Sequence, residues 1–303
     1  MKKILVIYYS QTGQLKNIAD SVLSPILKDE DFQVDYQQIK PVNDYQFPWT
    51  DDGFYDAMPE SVKGIPCPIE DISIDNNSNY DLVILAYQVW FLSPSIPFWS
   101  FLQNKKNQDF LKNKNVITIL GVRNMWVNAH KRIQQQFKEL NINHIGNIVL
   151  ADKNSNLVGV LLVIKYLLTG NDKPYKLLPK YGVRETDIKK AEIFGDFIKT
   201  ALINNDFSQL QTKIAENNGV FLKFSLRTTE LAAGKIFLKW ANFVLKKGEA
   251  KDPNRRYRTK LFKTYLMILI FVISPISSTI FRIINILFYP FVKKSLYKTA
   301  LMK

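Results

Sequence analysis

The 303-residue chain is long enough for one large domain or two small ones. Its 41 Lys+Arg against 27 Asp+Glu give a net charge of +14, but residues 1–220 hold 24 of each sign while residues 221–303 hold 17 basic and three acidic side chains. The whole excess therefore lies in the last quarter, where there is no zinc-ligand spacing, helix-turn-helix or RNP-type motif, which sets nucleic acid aside as its partner. A single cysteine, Cys67, excludes an intramolecular disulfide and fits a reducing compartment.

The apolar, β-prone run Ile4–Tyr9 predicts a buried strand. At six residues after Met1-Lys2-Lys3 it is too short for a signal peptide, which places the body in the cytoplasm. It stops in Ser10-Gln11-Thr12-Gly13, and Leu15, Ile18, Ala19, Val22, Leu23 and Ile26 then follow at helical spacing. A strand, a hydroxyl-and-glycine turn and a helix N-terminus make an anion site, because free N–H groups and the helix dipole both favour negative charge there. Neither G-x-G-x-x-G nor G-x-x-x-x-G-K-[ST] is present, so the dinucleotide and P-loop patterns are excluded. Pro25 is expected to kink or shorten that helix.

Phe32–Ile39 alternates at period two and predicts an edge strand. An insertion over residues 41–79, rich in Pro, Asp and aromatic residues, is long enough to be functional. Buried strands are predicted at Asp81–Ala86, Asn115–Leu120 and Ile145–Ala151, with helices at Ile96–Gln103, Trp126–Leu140 and Glu185–Leu202. Five strands alternating with helices imply a parallel sheet covered on both faces. A second insertion, residues 152–184, contains the apolar segment Leu157–Leu168, which reads as a buried helix or a hydrophobic lid and is too short to span a bilayer.

The turn Ser-x-Thr-Gly-x-Leu resembles the phosphate loop of the flavodoxin family, which wraps the phosphate of FMN with hydroxyls and backbone N–H groups. That resemblance implies strand order 2-1-3-4-5 and FMN as the cofactor, held first by Ser10, Gln11, Thr12, Gly13, Gln14 and Leu15. Leu15 stands where the family has a hydroxyl residue, so one donor is missing. In such sheets ligands lie off the carboxyl ends of the strands. The loop after the third strand offers Tyr87, Gln88, Val89, Trp90 and Phe91, whose aromatic rings suit stacking on an isoalloxazine. The loop after the fourth offers Gly121, Val122, Arg123, Asn124, Met125 and Trp126. Arg123 is placed to stabilise an anionic flavin or enolate, Asn124 and Asn128 to orient a carbonyl, and His130 to donate a proton, though a lone histidine on a helix face is more often packed. No metal ligand set is expected.

The tail divides in two. Residues 206–263 form a basic linker in which Leu231, Leu238, Ala241 and Leu245 share one helical face and Lys235, Lys239 and Lys246 another, the pattern of an interfacial helix. Residues 264–303 hold the uncharged run Tyr265–Phe281, broken at Ser274-Pro275 and flanked on both sides by cations, including Arg255, Arg256, Arg258, Lys260 and Lys263. Equal basic flanks predict a bent helical hairpin attached to the inner face of the cell membrane, not a single span. The competing expectation is a helical subdomain packed on the body.

The whole chain resembles a family of flavodoxin-like proteins known as dialkylresorcinol condensing enzymes, found with aryl-polyene and flexirubin-type pigment pathways. The resemblance rests on the opening Lys2–Gln14, on Phe47-Pro48-Trp49 with Asp56-Ala-Met-Pro-Glu-Ser-Val62, and on the basic apolar tail. It implies FMN-dependent aromatisation of a lipid-like dialkyl-cyclohexanedione, with a ketosynthase and an acyl carrier protein as pathway partners and a flavodoxin-like domain over residues 1–205. Carbon–carbon condensation is left to the partner, because Cys67 sits in a proline-flanked loop with no nearby histidine. The rival expectations are a membrane-associated NAD(P)H:quinone reductase, an electron carrier, and a scaffold that has lost flavin.

Overall fold

A computed structural model of the chain describes residues 1–72, 79–171, 179–273, 275, 294 and 297–302. Five parallel strands form the central sheet: β1 (Lys2–Tyr8), β2 (Phe32–Gln38), β3 (Leu82–Tyr87), β4 (Asn115–Val122) and β5 (Asn143–Ala151). Their spatial order is 2-1-3-4-5, the flavodoxin-like doubly wound order with its switch point between β1 and β3. Strand β1 shows why both faces are covered. Ile4, Val6 and Tyr8 point into one buried layer, and Leu5, Ile7 and Tyr9 into the other.

The first layer is built with α1 (Gln14–Leu27), and the second insertion separates it in sequence from its later partners. The other layer needs α4 (Ile96–Gln103), α5 (Lys105–Leu111) and α6 (Val127–Glu139), which carry Phe98, Phe101, Phe110, Ile133 and Phe137 into the core. Before these, the first insertion folds two short helices, α2 (Asp51–Asp56) and α3 (Met58–Lys63). After β5 come α7 (Asn156–Thr169), α8 (Glu185–Lys190), α9 (Glu192–Asn204) and α10 (Leu210–Glu216). Two local expectations are corrected. Pro25 lies within the last turn of α1, which runs on to Leu27. The helix expected over residues 185–202 is two helices divided at Ala191.

The tail is packed on the body over its described part. Helices α11 (Phe224–Leu245) and α12 (Arg256–Ile268), followed by a π-helical turn Leu269–Ile273, lie against α2 and α3. Phe237, Ala241, Val244, Phe262 and Leu266 meet Tyr55 and Met58 in a separate apolar cluster. The junction is also ionic: Arg255 pairs with Asp56 and Glu60, Arg256 with Asp52, and Lys263 with Asp51. Three cations expected to flank a membrane segment therefore dock the tail onto the acidic helices of the first insertion. The predicted apolar face of α11 is also divided. Ala241 is buried, whereas Leu231 and Leu238 are exposed beside Lys235 and Lys239, because the buried face is set by Phe237, Ala241 and Val244. Among the described residues no helix is long and apolar enough to cross a membrane. Most of the hairpin expected at residues 264–292 lies outside the described residues.

Candidate active-site cleft

The carboxyl ends of β1, β3 and β4 open onto a cleft of about 400 Å³, within the size range of ligand sites. Its polar end begins at the turn after β1. Gly13 caps α1 at φ 79°, a left-handed backbone that glycine adopts without a Cβ penalty, and no side chain caps the helix. The Ser10 Oγ is buried and has no hydrogen-bond partner. A buried orphan hydroxyl costs roughly 1–3 kcal/mol unless something bonds it, so this atom marks a place for an acceptor. Gln11 and Thr12 line the cleft, and the Gln11 amide is fixed at both ends: it donates to Tyr45 O and accepts from Trp49 Nε1 at 3.2 Å. Gln14 also lines it and holds the strap at Gly182-Val183, accepting from Val183 N–H at 3.2 Å.

The loop after β3 folds as a tight hairpin, Val89–Trp90 against Ser93–Pro94. Its two turn residues, Phe91 and Leu92, hold φ of 47° and 63°. Non-glycine residues in this region cost about 1–2 kcal/mol each and persist only where packing fixes them. Here Phe54 lies 5.0 Å from Phe91, and Phe262 of the tail 6.3 Å. Gln88, Val89, Trp90, Phe91 and Leu92 all line the cleft. Trp90 is boxed edge-on by Tyr9, Tyr45 and Trp49 at 5.1–5.8 Å between ring centres.

From the loop after β4, Gly121, Val122, Arg123, Asn124 and Met125 line the cleft. Gly121 serves helix packing, because a Cβ there would sit 2.8 Å from Ile18 Cδ1 of α1. Burial pulls the Arg123 guanidinium down to about 10, against the opposing pull of Asp152, so it stays charged at neutral pH. Asp152 follows the last residue of β5 and was not singled out from sequence. It is 4% exposed, its Oδ2 has no hydrogen-bond partner, and burial raises its carboxyl above the usual range. The available signal was its position: the first polar residue past a fully buried strand, at the carboxyl edge of the sheet.

Seven expected site residues do not line the cleft; Ser10 and Gly13 belong to the turn whose Gln11, Thr12 and Gln14 do line it, and the other five are used elsewhere. Tyr87 is fully buried, stacked on Phe98 at 4.6 Å, with its hydroxyl 3.1 Å from His130 Nδ1. His130 is buried below the sheet edge beside His144, and burial holds it well below the ordinary histidine range, so it is a packed neutral ring and not a cleft proton donor. Trp126 is 1% exposed and donates its Nε1–H to Phe221 O. Leu15 is a core residue of α1. Asn128 is consumed by the tail: its backbone N–H donates to Glu230 Oε1, its amide to Glu230 O, and its Oδ1 accepts from Arg227. Glu230 thereby places a carboxylate at the N-terminus of α6, where the helix dipole favours it.

The remaining walls come from segments outside the sheet. Val160, Val163 and Leu167 of α7, Thr229, Ala233 and Phe237 of α11, and Leu266, Leu269 and Ile270 all face the cleft. The α7 and α11 sets repeat at three or four residues, the spacing of one helical face. Trp49 N–H donates to Leu167 O at 2.7 Å, joining the two insertions over the opening. The cleft thus has a polar end at the sheet and an apolar end made by the insertions and the tail. Among the described residues no cluster suited to a metal ion occurs.

No protein-family profile matches the chain, and no curated protein does either. Solved structures do. A flavoprotein of Lactobacillus acidophilus in complex with FMN is 22% identical, spanning 49% of this chain and 93% of its own, with a TM-score of 0.37. A flavodoxin from the domain Archaea is 12% identical over 66% and 99%, with a TM-score of 0.35. Flavodoxin 1 of Bacillus cereus is 13% identical over 64% and 95%, with a TM-score of 0.34. These scores lie below 0.5, so the flavodoxin-like fold rests on the strand order itself.

Proposed function

We propose that the chain is an FMN-dependent oxidoreductase of an apolar carbonyl substrate, and specifically that it aromatises a dialkyl-cyclohexanedione to a dialkylresorcinol. The observation that carries this reading is the joining of two unlike ends in one cleft. The turn after β1 lines the cleft with Gln11, Thr12 and Gln14 and carries the α1 N-terminus and the orphan Ser10 hydroxyl beside them, a donor set that fits a phosphate monoester. Trp90 and Phe91, with Gly121–Met125, supply the walls for a flat ring. Leu269, Ile270, Phe237 and Val163 then supply a surface that a soluble electron carrier has no use for but an alkyl chain does. FMN, when bound, supplies a two-electron oxidant. The protein's own residues bind it, exclude water around it, and hold the substrate's oxygen beside Arg123.

Attachment to the inner face of the cell membrane belongs to the same proposal. Leu231, Leu238, Phe243, Ile268, Val272 and Ile273 are exposed, with Lys235, Lys239 and Lys246 among them. A ketosynthase and an acyl carrier protein are the proposed suppliers of the substrate. Flotation with vesicles of anionic but not neutral lipid supports the attachment, and a protein that stays at the bottom of the gradient with both counts against it. Steady NAD(P)H:quinone turnover with no oxidation of a dialkyl-dione selects the quinone reductase instead.

A further inference from the structure

Asp152 is a carboxylate that the fold neither pairs fully nor exposes. One oxygen is used locally, with Oδ1 accepting the Asn154 N–H at 2.8 Å. The other, Oδ2, belongs to a residue that lines the cleft and is buried with no hydrogen bond of good geometry, the Gly182 N–H being the remaining backbone donor that bears on the carboxylate. Helix α7 passes directly over it. A Cβ at Gly159 would lie 3.3 Å from Asp152 Oδ2 and 3.1 Å from Arg123 Nη1, so the glycine lets the first turn of the helix come close to both groups. A purely structural acid would be satisfied on both oxygens or lie in solvent. This one is an under-satisfied hydrogen-bond acceptor at the boundary between the polar and apolar ends.

We infer that Asp152 is the catalytic proton acceptor of the site, with Arg123 holding the ketone oxygen of the same substrate. The inference rests on the functional reading above. Converting a cyclohexane-1,3-dione ring to a resorcinol removes two hydrogens. The carbon beside a carbonyl loses its C–H as a proton to Asp152 Oδ2, while the next ring carbon loses its C–H as a hydride to the flavin oxidant. The electron pair left on the first carbon closes the new ring double bond, and the enedione then enolises to the aromatic diol. Arg123 lowers the cost of the enolate oxygen that develops in the first transfer. The charges bearing on Asp152 are Arg123 and Arg184, while Lys153, next to it in sequence, is taken up by Asp187. Burial outweighs the Asn154 and Gly182 N–H groups and those cations and raises the carboxyl, which brings the base nearer the pH at which it must work.

The test compares FMN-loaded wild type with Asp152→Asn and Asp152→Glu. Asp152→Asn is expected to bind FMN as tightly as wild type and to lose about 10²–10⁴-fold in anaerobic flavin reduction by a dialkyl-cyclohexanedione, with Asp152→Glu recovering part of that loss. In a second readout that needs no net oxidation, the flavin is first reduced, and exchange with D2O of the hydrogens on the ring carbon beside a single carbonyl, which unlike the position between the two carbonyls exchange slowly without enzyme, is followed by mass. Wild type should accelerate it and Asp152→Asn should not. The wild-type reduction rate should also fall on the acid side through a single ionisation above the ordinary aspartate value. Full reduction or full exchange in Asp152→Asn overturns the inference and leaves the FMN reading standing. A wild type that takes up no FMN overturns both.

Discussion

Replacing Arg255 by Met should release the tail from the body. The guanidinium is fully buried and makes five hydrogen bonds: Nε to Asp56 Oδ1 at 2.6 Å, Nη1 to Glu60 Oε1 at 2.6 Å and to Gly248 O at 3.5 Å, and Nη2 to Glu60 Oε2 at 3.1 Å and to Asp56 O at 2.5 Å. Methionine fills much of the volume but leaves the Glu60 carboxylate, 7% exposed, without its counter-ion. Removing one partner of such a buried pair costs about 3–5 kcal/mol. The cost falls on the docking of α11 and α12 against α2 and α3, so it should appear first as local opening. Amide exchange of α11 and α12 should speed up by about two to three and a half orders of magnitude, since ~1.4 kcal/mol is tenfold. The sheet amides of β1 and β3 should slow or speed far less. Adding Glu60→Gln to Arg255→Met should restore part of the protection, because the unpaired charge is then gone. Unchanged exchange in α11 and α12 would refute the claim that this ion pair holds the tail.

Three other outcomes follow from the geometry. Ser10→Glu or Gly13→Asp should abolish FMN binding in a protein that still unfolds cooperatively, at a cost of about 1–2 kcal/mol for Gly13→Asp from its left-handed backbone, by setting a carboxylate where the phosphate is held; a titration showing wild-type affinity removes the phosphate assignment. Leu269→Trp should fill the apolar end and raise the KM for a dialkyl-dione at least tenfold while FMN affinity stays; an unchanged KM places the substrate elsewhere. Lowering the pH should destabilise the fold through its histidines. Burial holds His144 down to about 4, so the unfolded chain binds a proton from about pH 6.5 downward that the folded chain refuses. The stabilisation is complete above pH 6.5 and falls by about 2–3 kcal/mol on reaching pH 4, the small exposed part of the ring trimming the full figure. Urea unfolding of wild type and His144→Gln between pH 7 and 4.5 checks this. An equal loss in both proteins assigns the effect to other groups.

The sheet was legible because its strands obey simple periodicities. Ile4–Tyr9 and Asn115–Leu120 are apolar on both faces, as a doubly covered parallel strand must be, and the Ser10–Gly13 turn announced a helix N-terminus by its chemistry. The cleft was legible only where a loop follows a strand directly. Tyr87 and Trp126 misled because an aromatic at a strand end can turn either into the core or outward, and burial decided for the core: Tyr87 found His130, and Trp126 found Phe221 O. Asp152 was missed because a lone acid after a strand carries no pattern, and its environment comes from Arg123 and Gly159, 29 and seven residues away in sequence. The tail's positive charge suggested a free cationic surface. Its pairing with Asp51, Asp52, Asp56 and Glu60 depends on a contact about 200 residues long, which no local window reveals.

The absorbance spectrum of the detergent-purified protein, taken before and after adding a dialkyl-cyclohexane-1,3-dione under nitrogen, tests the central claim most directly. The account predicts a bound-flavin spectrum in the visible, stoichiometric with protein after loading with FMN, that bleaches on addition of the dione as the resorcinol forms. A protein that stays colourless in excess FMN would contradict the cofactor site. A yellow protein that the dione leaves unbleached would contradict the proposed reaction.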